Sequence, residues 1–477
     1  MPSEPPARPA PPARPAPPAH SEPAAGRVRD HGTARIGLAL FLVTATVYLA
    51  TAGYHRIHID VLSANVGAWR IAATGSAAID GLDTSGINPS RVELFSTEHD
   101  GHTVIARSPG VVAAGVPSYA LRQLVTDAGT GVEDFTNVPP SVTAALLTAL
   151  SVLLMWGALL QLTSRRAATA AALVLALATP VWSVAADGMW THTLTVLGIS
   201  GMAFGAARDR WLLVGLFGGI AVWGRPHTAL LAAALALACA VAQRRPGIAV
   251  RVGAVGAALT VGASLWTHWL YGRWTPSGGY AAAPYLAQGT DSSQYEFNRT
   301  LGGLLQNEAA MWVALDRGIL VWTPVVLVLA PLLVRSWHQQ PVWARALLVS
   351  GVAYTLFQGA VAPFHGGDGI YGYRHGLELL ASATPSLVVA AGHAGRRTRV
   401  VLTAVVGVQL AAFTLGGILN RPTLTFGHQW NDNAFASAVR DVPALGAWLV
   451  IAVALVFLLT RMFLREPDDD AAASLRA

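Results

Sequence analysis

Residues 35–53 read RIGLALFLVTATVYLATAG: one arginine, then eighteen positions without a charged side chain. An apolar run of that length is what a helix needs to cross the hydrocarbon core of a bilayer. It starts too deep in the chain, and is too long, for a cleavable signal, and so it is read as a retained anchor. The same pattern, an apolar run closed by arginine, returns along the chain. Further runs lie near 140–163, 168–186, 190–207, 211–223, 226–242, 251–271, 318–334, 346–363, 376–394, 400–419 and 443–460, which makes about twelve crossings. With the N-terminus in the cytoplasm, the groups at Arg27–Arg35, Arg165–Arg166, Arg208–Arg210, Arg244–Arg245, Arg335, Arg396–Arg399 and Arg461–Arg465 all fall on the cytoplasmic side. That is the positive-inside distribution. The run at 211–223 is short for a full crossing and is expected as a half-crossing buried against its neighbours.

Composition agrees. Of 477 residues, 53% are hydrophobic and only 12% charged, about half the charged fraction of a soluble domain. Too little polar surface is left for water to be the main solvent. The expected fold class is an all-α integral membrane protein, with no independent soluble catalytic domain. The net charge of +6 does not signal nucleic acid, because the arginines sit at the ends of apolar runs and form no basic stripe with interleaved aromatics. The single cysteine, Cys239, lies in the apolar run LLAAALALACAVA and reads as packing.

Residues 1–35, opening on PPARPA repeats, are expected as a disordered, proline-rich cytoplasmic tail. Residues 36–465 are the transmembrane domain, and 466–477 a short acidic cytoplasmic tail. The main outer segments are 54–139, 272–317, 364–375 and 420–442, and the first is the most structured. HIDVLSANVGAWRIAATG (58–75) predicts a short interfacial helix with Val61, Ala64, Ala68 and Trp69 on one side. VELFSTEHDGHTVIAR (92–107) predicts a β-hairpin turning at Asp100-Gly101. A further helix follows Pro109-Gly110. Asp60 stands where the chain has just left the first crossing. A carboxylate held at the membrane surface suits a general base that takes a proton from an acceptor hydroxyl; equally, aspartate at a helix start is a capping residue.

The stretch from Asp60 to Gly75 resembles the start of the first outer loop in the GT-C superfamily of membrane glycosyltransferases, where an acidic residue follows the first helix and precedes an amphipathic one. Five further segments resemble that family in order: HDGHTVIARSPGVVAAGVPSY (99–119), ADGMWTH (186–192), GLFGGIAVWGRPHTALL (215–231), LDRGILVWTPVVLVLAPLL (315–333) and HGGDGIYGYRHGLELLASATP (365–385). The resemblance spans most of 36–390. It implies a GT-C-like bundle of about twelve helices with a structured first extracytoplasmic loop, in a bacterial plasma membrane. It further implies inverting transfer of a mannose- or arabinofuranose-type sugar from a polyprenyl-phosphate donor to a cell-envelope glycan or glycolipid acceptor, at the outer face.

On that resemblance Asp60 is the catalytic candidate. Many relatives carry adjacent acids at this place, whereas Val61 follows here, and Asp187 is the one acid available as a second in the next outer loop. No metal ligand set is assigned. A divalent metal is compatible with the pattern but not indicated by it, because one or two carboxylates rarely hold one without phosphate ligands. Arg317 and Arg374 lie at outer helix ends, where arginine is disfavoured. A donor phosphate would explain either, because the guanidinium fork fits phosphate oxygens. So would salt bridges, Asp316 to Arg317 and Asp368 or Glu378 to Arg374. Tyr373, His375 and, in the Trp-x-His stretch, His192 are further phosphate candidates with ordinary structural alternatives. Arg225, by the short fifth run, is an intramembrane arginine of open role. Two other readings stay open: a GT-C-like lipid-binding or accessory protein without catalysis, and a transporter or lipid flippase.

Overall fold

The computed structural model describes residues 31–54, 58–82, 87, 95–281, 299–367, 370–419 and 430–463. The expected tails at 1–30 and 464–477, and Asp368, lie outside the described residues.

Helix α1 (His31–Thr51) is the first apolar run, and α2 (Ile59–Thr74) follows at once. The ring of His58 caps α2, its Nδ1 accepting from the Asp60 backbone N–H at 3.1 Å, and Gly75 closes the helix at φ 76°. Asp60 therefore occupies the first turn, and its carboxylate is free of the capping task. The expected face of Val61, Ala64, Ala68 and Trp69 is buried, but so are Ser63, Asn65 and Val66. The surface on which α2 lies is therefore protein more than lipid. Strands β1 (Ser96–His99) and β2 (His102–Ile105) pair antiparallel with Ser96 opposite Ile105, and Val66, Ile79, Ile87 and Ile105 form a small core beneath them. The hairpin turns at Asp100 (φ 52°) and Gly101 (φ 78°), as a two-residue loop of left-handed residues demands. Helix α3 (Pro109–Val125) starts immediately after, with proline where its missing N–H costs nothing.

The bundle continues through α4 (Val138–Leu159), α5 (Arg165–Leu177), α6 (Thr191–Ala206), α7 (Trp211–Gly224), α8 (Ala229–Ala242) and α9 (Gly247–Tyr271). After α10 (Leu301–Val313) come α11 (Ile319–Trp322), α12 (Val325–Arg335), α13 (Val342–Val361), α14 (Leu377–Gly392), α15 (Arg396–Leu419), α16 (Ala434–Asp441) and α17 (Ala444–Phe463). Among the described residues, six helices are long and apolar enough to cross a membrane: Gly32–Thr51, Val132–Leu159, Gly247–Tyr271, Val342–Val361, Arg396–Ile418 and Ala444–Arg461. Shorter apolar helices lie at Trp211–Gly224, Pro226–Ala242, Val325–Arg335 and Leu377–Gly392. The chain is a multi-pass membrane protein. Every expected run is helical, and helices α10 and α16 occupy segments expected to be loop.

Two runs expected as single helices are broken, each at a proline. Pro180 ends the α5 run, and the backbone continues as a π-helical turn, Val181–Ala185. A proline inside a helix leaves the carbonyl four residues earlier without a donor; here that carbonyl, on Ala176, accepts from the Tyr48 hydroxyl at 2.9 Å. Pro324 separates α11 from α12. The side chain of Gln409 on α15 serves both breaks: its Nε2 donates to the carbonyl of Ala178 at 2.9 Å and its Oε1 accepts from Val325 N–H at 3.0 Å.

The fifth run is short, as expected. Helix α7 has 14 residues, about 21 Å of rise, against about 30 Å of hydrocarbon. It ends inside the protein, where the hydroxyl of Ser108 donates to the carbonyl of Gly224 at 2.6 Å. The segment between α1 and α4 is thus seated on the α7–α8 turn, with Arg225 at that turn.

Candidate active site

The site lies where the start of α2, the end of β2, the 187–190 turn before α6 and the 362–376 segment before α14 converge. Asp60 is its centre. Its Oδ2 accepts from the Arg374 guanidinium at 2.7 Å, and its Oδ1 lies 3.5 Å from that of Arg107. His58 Nδ1 is 3.7 Å from Oδ2. Burial alone would raise the Asp60 carboxyl, but Arg107, His58 and Arg374 outweigh it and hold the group far below the usual carboxylate range. Asp60 is an anion at every physiological pH.

Each partner is itself braced. Arg107, 2% exposed, lies over the Phe95 ring at 4.4 Å. Trp190 stands 5.3 Å from the Arg374 guanidinium and 4.9 Å from the His58 ring. Gly366 and Gly367 have φ of 68° and 98°, a left-handed backbone that side chains resist. A Cβ on Gly366 would stand 2.8 Å from Arg374 Nε and 3.1 Å from His375 Nε2. These glycines let the loop backbone come up against the cation.

The other candidates divide. Arg317 is buried and donates to the carbonyls of Ile370 and, at 2.8 Å, Gly372, while its Nε lies 3.2 Å from Asp316. It grips the backbone that leads to Arg374. Tyr373 is buried, with its hydroxyl 3.2 Å from that of Thr323. His375 is buried, and among the described residues its Nδ1 finds no hydrogen-bond partner; burial, then Arg374 and Arg225, keep its ring neutral. His192 Nδ1 is bonded to Glu378 at 2.9 Å. Asp187 accepts Gly53 N–H on its backbone carbonyl at 2.8 Å, and its carboxylate faces Gly53 at the end of α1. Among the described residues, no three of His, Cys, Asp and Glu gather as a metal site needs.

Glu378 as the expected salt-bridge partner of Arg374 needs correcting. Glu378 lies in a second, deeper cluster. It holds His192, accepts from Thr195 at 2.7 Å and lies 3.7 Å from Arg225. The residue that Arg374 meets is Asp60, 314 positions away. Arg107 was missed by the sequence reasoning. Its signal was available, since it too is an arginine on the expected outer side, inside a segment already singled out.

No protein-family model matches the sequence, and no curated protein does. Solved structures do. The chain is similar to ArnT from Cupriavidus metallidurans in its undecaprenyl phosphate-bound crystal structure, at 17% identity over 91% of this chain and 73% of that one, with a TM-score of 0.50. The apo form of ArnT matches equally. An Archaeoglobus fulgidus oligosaccharyltransferase matches at 12% identity and a TM-score of 0.44, over 92% of this chain and 59% of that one. The chain therefore shares the membrane-protein fold of ArnT.

Proposed function

We propose that the chain is a membrane glycosyltransferase that takes its sugar from a polyprenyl-phosphate donor on the extracytoplasmic face. One observation carries this reading. The carboxylate suited to deprotonate an acceptor and the arginine suited to hold a phosphate stand 2.7 Å apart, brought together from positions 314 residues apart in the sequence. The undecaprenyl phosphate bound by ArnT, a protein of the same fold, makes such a donor reasonable.

In this mechanism the acceptor hydroxyl oxygen attacks the anomeric carbon from the side opposite the phosphate. Asp60 takes the hydroxyl proton as the new C–O bond forms. The bond from the anomeric carbon to the phosphate oxygen breaks, its electron pair stays on that oxygen, and configuration inverts. The departing phosphate gains negative charge beside Arg374, so a fixed cation favours the transition state over the ground state. Arg317 acts behind Arg374 as a positioning residue. The acceptor is a cell-envelope glycan or glycolipid, and the sugar is of mannose or arabinofuranose type.

The test is to offer the purified chain polyprenyl-phosphate mannose and arabinofuranose and to measure release of polyprenyl phosphate with an envelope glycan acceptor. Asp60→Asn is expected to lower the rate about 10²–10⁴-fold, the contribution of a positioned general base, with the fold retained, which thermal unfolding checks. A variant that transfers sugar at near wild-type rate makes Asp60 structural, and absence of transfer by the wild type favours the accessory-protein reading.

A further inference from the structure

The Asp60–Arg374 contact poses a question that the transfer reaction leaves open. The cation meant for the phosphate is already engaged by the base. The contact is one-sided: a single guanidinium nitrogen, Nη1, bonds to one carboxylate oxygen, and among the described residues Nε has no hydrogen-bond partner. A paired, two-toothed fork is not formed, so the strongest arginine–carboxylate geometry is absent. Both side chains keep 16% exposure, which puts the pair at an accessible edge. Arg107, at 2% exposure and 3.5 Å from the other oxygen, is by contrast buried. Asp60 thus has one deep tether and one at the edge. His58, 3.7 Å away on the same side as Arg374, is the third group that faces the carboxylate. Glu378, a buried carboxylate on α14, is committed to His192, Thr195 and Arg225.

We propose that Asp60 is the resting occupant of the anion site at Arg374, and that a phosphate ester binds there by displacing it. The proposal deepens the reading above and rests on it for the identity of the phosphate. Arg374 Nε is buried against Gly366, so a phosphate approaches the Nη edge that Asp60 already holds, and like charges brought together at a site oppose binding. The phosphate therefore takes Arg374 and leaves Asp60 with Arg107 and His58. The carboxylate released in this way is the one that must accept the acceptor's proton. Losing a 2.7 Å cation makes it a better base, because an adjacent positive charge is what favours its charged form. Donor binding then prepares the base, and an acceptor that arrives first meets a carboxylate still held by both arginines. The order is donor first.

The test uses the full chain and needs no turnover. Binding of a short-chain polyprenyl monophosphate, with inorganic phosphate run alongside, is measured for wild type, Asp60→Asn, Arg374→Ala and the double variant. Asp60→Asn is expected to tighten lipid phosphate binding about tenfold or more, because it removes the internal competitor. In the Arg374→Ala background the same change should shift affinity by only about twofold. A parallel gain for inorganic phosphate assigns the effect to the phosphate group, and a gain with the lipid alone assigns it to the esterified head group. Either upholds the displacement. Asp60→Ser, smaller and equally uncharged, serves if the asparagine variant does not fold. Unchanged or weaker binding by the neutral variants overturns the proposal, as does an equal gain in both backgrounds. The two readings fail separately. Sugar transfer by wild type with no affinity gain in Asp60→Asn removes the displacement alone. A gain with no transfer from any polyprenyl-phosphate sugar removes the transferase and leaves the anion site.

Discussion

Arg374 reaches Asp60 through one nitrogen, packs against Trp190 and has its Nε beside Gly366. Charge and shape therefore contribute separately at this residue. Arg374→Lys keeps the charge but loses the planar fork and the stacking face. It is expected to give a partial defect in turnover, on the order of tenfold, and Arg374→Ala a much larger one. Steady-state rates with donor binding measured in parallel check this; equal defects would mean that the fork is not used. The histidines of the same loop give a pH signature. Burial, then Arg374 and Arg317, pull His365 from 6.5 to about 4, and His375 is also held well below 6.5. Both bind protons more readily unfolded than folded, so stability falls as pH drops from about 6.5 towards 4. Thermal unfolding across that window should lose part of its slope in His365→Gln. Asp60 adds little there, since the stability its lowered carboxyl lends is lost mainly as pH falls below its ordinary value of 3.8.

At the scale of elements, the 362–376 segment is held from behind. Asn307 on α10 donates to the carbonyls of Gly359 at 2.7 Å and Ala362 at 3.0 Å and accepts from Phe364 N–H at 2.8 Å, which fastens the point where α13 ends. Arg317 fastens the other end at Ile370 and Gly372, and Asp316 ties that brace to α16 through Ala434 N–H at 3.1 Å. Breaking a buried ion pair leaves an uncompensated charge and costs about 3–5 kcal/mol. Arg317→Ala is expected to destabilise by that order. Arg317→Lys should stay folded but lose the double carbonyl contact, lowering kcat with KM nearly unchanged if Arg317 works only by aiming Arg374. A rise in KM alone would point to direct donor contact.

For the whole molecule, the first outer loop and the bundle form one site. Ser108 is seated on the α7–α8 turn, and Arg107 reaches Asp60 beside it. The reading requires this loop to face outward. A cysteine introduced at Glu98, exposed on the hairpin close to Asp100, should react with a membrane-impermeant reagent in intact spheroplasts. Labelling only after permeabilisation would invert the orientation.

The sequence by itself determined the solvent, the apolar helices, the hairpin turn at Asp100-Gly101, and Asp60 and Arg374 as separate candidates. Each of these rests on local physics: run length against bilayer thickness, backbone preference at a two-residue turn, and a charge placed where charge is disfavoured. Tertiary structure alone decided that Arg374 pairs with Asp60 while Glu378 takes His192 and Arg225, that Arg107 completes the site, and that Gln409 bridges two proline breaks. Those partners are separated by dozens to hundreds of positions. Periodicity places a side chain on a face of its own helix, but only the packing of helices against one another decides which opposing side chain it meets.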